Sequence, residues 1–68
     1  MTKKETVALF ALISSLFPRD EKFAGADKMM IMAWQEMLED IPFEVAKAAV
    51  KATVATSQFP PSIKDIRD

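Results

Sequence analysis

The chain contains no cysteine and no histidine, and a single glycine among its 68 residues. Each absence removes a class of chemistry. Without Cys there is no disulfide to brace a small fold, and without Cys or His a structural zinc site has no ligands. A nucleophile–base pair of the Ser–His or Cys–His kind cannot be assembled. One glycine cannot make the glycine-rich loop that cradles a nucleotide phosphate. The net charge is −1, with nine basic and ten acidic residues interspersed. That balance lacks the clustered Lys/Arg excess of a nucleic-acid footprint. No apolar run approaches the roughly 18–20 residues that span a bilayer. Val7 to Ile13 is too short, and Phe17-Pro18-Arg19 is a poor cleavage signal. These features predict a cytoplasmic, non-catalytic protein with no cofactor, no metal, no membrane partner and no direct nucleic-acid partner.

Half of the residues are hydrophobic, which is enough for one compact core. Thr2-Lys3-Lys4-Glu5 is a capping-box pattern that starts a first helix. Leu9, Leu12, Ile13, Leu16 and Phe17 follow at three- and one-residue steps, the stripe of a helix buried on one face. Phe10 and Val7 widen it, and Pro18 ends it. Residues 18 to 26 form a polar connection holding Arg19, Lys22 and a conspicuous Phe23. Phe23 either tucks back onto the core or is presented to a partner. Asp27 suits the start of a second helix, whose buried face runs through Met30, Ala33, Trp34, Met37, Leu38 and Ile41. Lys28, Gln35, Glu36 and Glu39 fall on its other side. Pro42 fits the first position of a third, alanine-rich helix reaching about Thr56. Phe43, Ala46, Ala49, Val50, Thr53 and Val54 form its apolar face, and Lys47 and Lys51 point into water or toward an acidic partner. Phe59 is expected to fold back and close the core.

The last stretch, Phe59-Pro60-Pro61-Ser62-Ile63-Lys64-Asp65-Ile66, reads as a helix stop, a rigid corner and a new start. The two prolines donate no backbone hydrogen bond, and Ser62 with Asp65 makes a second capping box. The expected fold is all-α: three amphipathic helices plus a short fourth helix or turn. Residues 1–68 read as one helical domain, the front part of a longer protein.

Candidate contacts are few. Ser14 and Ser15 lie mid-helix, where serine is ordinarily a surface residue. Glu36, Glu39 and Asp40 make a solvated acidic face without the loop geometry of a calcium site. Met29, Met30, Met32 and Met37 read either as core filling or as an adaptable binding surface. Met29 and Met32 fall off the main stripe, which makes them contact candidates beside Arg19, Lys22 and Phe23. Trp34 reads as core or as a surface hot spot. Phe59-Pro60-Pro61 reads as a corner or as a proline-rich ligand.

Three segments then stand in one order. They are Trp34 to Val45, with the corner Asp40-Ile41-Pro42-Phe43-Glu44; the alanine-rich Ala48 to Ala52; and Ser57 to Ile66. This chain resembles the N-terminal domain of the replicative-helicase loader and inhibitor family, found in phages and prophages of Gram-positive bacteria. The matching positions are Trp34, Pro42, Phe43, Phe59, Pro60, Pro61, Ile63 and Ile66, which set corners and fill the core. The resemblance implies binding to the ring-shaped replicative helicase hexamer, inhibition of it, and help in loading it at the origin with an initiator protein. It implies no ATPase activity. Two other readings remain open on the residues alone. One is a helix-turn-helix-like DNA-binding regulator, disfavoured by the near-neutral charge. The other is a homo-oligomerisation domain using the broad apolar faces of the second and third helices.

Overall fold

A computed structural model describes residues 1–67, so Asp68, the end of the expected domain, lies outside the described residues. The described residues form four helices: α1 (Lys3–Leu16), α2 (Lys28–Met37), α3 (Phe43–Thr56) and α4 (Ile63–Arg67). α1 packs against both α2 and α3, and α4 packs on α3. The all-α architecture agrees with the reading of the sequence.

Local chemistry sets the helix starts. Thr2 accepts from the Glu5 amide at 3.1 Å, and Glu5 accepts from the Thr2 amide at 2.8 Å, so two orphan donors are satisfied reciprocally. Thr6 is fully buried, and its hydroxyl donates to the Thr2 carbonyl at 2.9 Å. The buried line of α1 is Thr6, Leu9, Phe10 and Ile13, continued by its cap Phe17. Leu12 is half-buried, while Leu16 and Val7 are exposed, contrary to expectation. The stripe is centred on Thr6, Leu9 and Ile13, and the polar character of Thr6 hides that centre in the sequence.

α2 begins at Asp27, whose carboxylate accepts from the Met30 amide at 2.9 Å. It stops at Met37, short of the expected Ile41. Pro42 disfavours helical geometry at Ile41, and residues 38–41 wind into a turn closed by Ile41 N–H to the Leu38 carbonyl at 3.0 Å. α2 has no basic residue in its last turn. Cations from elsewhere cover the carbonyls at its end and in the turn that follows. The Met1 ammonium donates to the carbonyls of Leu38, Glu39 and Ile41 at 3.3, 2.9 and 3.2 Å. Arg67 donates to the Met37 carbonyl at 3.0 Å. Positive charge at a helix C-terminus also favours the dipole.

Pro42 is the N-cap of α3, one position before its expected place, and its carbonyl accepts from the Val45 and Ala46 amides. Ala46 and Val50 are fully buried on α3. Val54 is exposed, and Lys47 is half-buried where solvent was expected. The largest departure is Phe59, which is 68% exposed and closes nothing. Pro61 takes the inward position at this corner and is fully buried. Ser62 and Asp65 form the second capping box, at 2.9 and 3.3 Å. Ile66 enters the core and Ile63 packs against it.

α4 is further tied by a two-pronged ion pair, Arg67 to Asp40 at 2.7 and 3.0 Å. Arg67's hydrogen bond holds the Asp40 carboxyl below its ordinary value of 3.8. The Ser62 amide, then its hydroxyl, does the same for Asp65. Both folded values lie below the unfolded ones. Their contributions are therefore present above about pH 4 and lost as pH falls through the depressed values. The urea midpoint is expected to drop on acidification below about pH 4, and Asp40→Asn to drop less. Parallel pH profiles for the two proteins would show that the pair contributes nothing.

Candidate partner-binding surface

α2 is apolar nearly all round, with the sequence Lys28-Met29-Met30-Ile31-Met32-Ala33-Trp34-Gln35-Glu36-Met37. None of its ten residues is fully buried. Its inner side, Met30, Ile31 and Trp34, packs on the core beside the buried Leu38. Trp34 stands edge-on to Phe10 and Phe23, with ring centroids 5.1 and 5.4 Å away, and Phe10 and Phe23 are themselves 5.3 Å apart. This aromatic triangle joins α1, the α1–α2 connection and α2.

The outer side faces solvent. Met29, Met32 and Met37 are 70%, 46% and 55% exposed. Ala33 and Glu36 are exposed with them. Their spacing of three, one, three and one places all five on one stripe of the helix. Ala33 and Met37 therefore leave the buried face assigned to them from the sequence. The sequence signal for Met37 was present: it lies four residues beyond Ala33 and eight beyond Met29.

The five expected contact residues do not form one site. Met29 and Met32 share the α2 stripe. Phe23 is only 3% exposed, enclosed in the aromatic triangle, which removes it from any surface. Lys22 pairs with Asp20 at 3.7 Å, and its ammonium lies 5.3 Å from the centre of the Phe23 ring. Arg19 belongs to a separate open groove of about 400 Å³, with Asp20, Glu21, Gln58, Phe59 and Pro60. Sequence reasoning missed that groove because it assigned Phe59 to the core. Leu16 and Val54, both partly exposed, line an adjoining groove with Arg19 and Gln58.

Of the signature positions, Pro61 and Ile66 are buried, and Trp34, Phe43, Pro60 and Ile63 are half-buried. Pro42 and Phe59 are exposed. Among the described residues no group of three or more His, Cys, Asp or Glu is placed to hold a metal ion. No helix among them is long and apolar enough to cross a membrane.

These features describe a small all-α domain with an exposed apolar face on α2. Residues 1–67 match the family of the N-terminal domain of the phage helicase loader/inhibitor, and the chain belongs to this family of DNA-replication proteins. No curated protein and no solved structure matches the chain.

Proposed function

We propose that this domain is a non-catalytic interaction module that binds the replicative helicase hexamer, restrains it, and assists its placement at the origin beside an initiator protein. The observation that carries this reading is the family match across residues 1–67. The single glycine and the missing histidine and cysteine are in keeping with action by binding alone. The working compartment is the host cytoplasm, where the helicase operates.

Light scattering on a sizing column tests the reading, with the chain run alone and then mixed with the cognate helicase ring. Co-elution at the summed mass is expected. A chain that elutes apart from an unchanged ring at micromolar concentrations would show that these residues do not carry the helicase contact.

A further inference from the structure

α2 divides cleanly into two sides. Lys28, Met29, Met32, Ala33, Glu36 and Met37 are all exposed, and the other residues of the helix are half-buried. The exposed residues make two neighbouring rows at four-residue spacing, Lys28–Met32–Glu36 and Met29–Ala33–Met37. A helix with apolar residues on both sides is ordinarily covered on both, and the core covers only one.

The charges at the two ends of the first row oppose the helix's own dipole. Lys28 opens α2, where a carboxylate is favoured, and Glu36 stands in its last turn, where a cation is favoured. Neither forms an ion pair among the described residues. Nothing within the domain accounts for that order, whereas an antiparallel copy of the same helix does. Around a two-fold axis level with the midpoint between Met32 and Ala33, each row faces its own copy. Lys28 then stands opposite the partner's Glu36 to within one residue's rise, about 1.5 Å. Met29 meets the partner's Met37 in the same way along the second row. Methionine adapts its shape to such a contact, and the small Ala33 lets the two backbones come close. The acidic end is reinforced by exposed Glu39, while Asp27 beside Lys28 is engaged with the Met30 amide.

We propose that the outer face of α2 is a two-fold interface with a second copy of this chain, the two helices antiparallel and Lys28 of each set against Glu36 of the other. A helix of 10 residues is about 15 Å long, and a contact of that length falls short of the roughly 1,200–2,000 Å² that stable complexes bury. The pairing is therefore weak, with a dissociation constant of roughly 0.1–1 mM, and it fills where several copies are held close together.

Sedimentation equilibrium from roughly 10 µM to 2 mM, run beside spectra of the methionine methyl groups, tests this interface. The mass is expected to rise toward that of a dimer. The signals of Met29, Met32 and Met37 are expected to move together with concentration, while those of Met1 and Met30 stay. Lys28→Glu alone and Glu36→Lys alone each set like charges face to face and are expected to weaken pairing roughly tenfold. Each change also suits the helix dipole, so neither is expected to lower the melting temperature, and lost pairing is not mistaken for unfolding. The double variant restores opposite charges and is expected to pair within about threefold of wild type.

A mass that stays monomeric at every concentration would overturn the interface. So would pairing that leaves the three outer methionines unmoved, which puts the contact on another face. A double variant that pairs no better than the single ones would remove the antiparallel register. No helicase enters either measurement, so the outcome is separate from that of helicase binding.

Discussion

Trp34→Ala is expected to lower the unfolding free energy by about 3 kcal/mol, the low end of the roughly 3–5 kcal/mol that truncating a large aromatic costs. The low end applies because Trp34 is half-buried rather than enclosed. Its loss nevertheless breaks two of the three edge-on contacts in the triangle with Phe10 and Phe23. Such pairs contribute about 0.5–1.5 kcal/mol each beyond simple burial. Phe23 would then lose one wall of its pocket, and α2 its largest inward side chain. A domain of 68 residues has roughly 3–10 kcal/mol in total, so the variant sits near the edge of folding. Far-ultraviolet circular dichroism against urea measures this directly, since the variant has no tryptophan left to report by fluorescence. A wild-type midpoint combined with lost helicase binding would instead make Trp34 a surface hot spot, and the core assignment would be wrong.

Features governed by chemistry within four residues were legible in the sequence. The Thr2–Glu5 and Ser62–Asp65 boxes, the stop at Pro18 and the Asp27 start each depend on a short-range hydrogen bond or on a proline, and each is found. The features that were not legible depend on distant partners. Periodicity puts Ala33 and Met37 on the buried face because it counts apolar residues, and α2 has apolar residues on two sides. Only the packing against α1 decides that Ala33 and Met37 stay out beside Met29 and Met32, whose outward position the spacing already indicates. The end of α2 depends on Met1 and Arg67, which are about 30 to 40 residues away along the chain. The choice between Phe59 and Pro61 at the corner is of the same kind. Either residue is apolar enough to be buried, and the direction in which the chain leaves α3 puts Pro61 inside.

That corner leads to the second large effect. Ile66→Ala is expected to cost about 2–3 kcal/mol, within the range for truncating a buried isoleucine, and to release α4. A helix of five residues has almost no stability of its own, because nucleation fixes several dihedrals for one hydrogen bond. Its attachment therefore rests on what it touches. Ile66 is 4% exposed and joins the central cluster, whereas the Arg67–Asp40 pair lies at the surface and is open to screening by salt. Burial thus outweighs the ion pair, and Arg67→Ala is expected to shift the urea midpoint much less than Ile66→Ala. Losing α4 would also strip the Met37 carbonyl of its Arg67 donor, so the far end of α2 should loosen with it. Amide hydrogen exchange is the discriminating measurement. Ile66→Ala should speed exchange in α4 and in the turn at residues 38–41 while leaving the middle of α1 slow. Unchanged exchange in both segments, with an unchanged midpoint, would mean that α4 does not hold the domain closed and that Pro61 alone seals the corner.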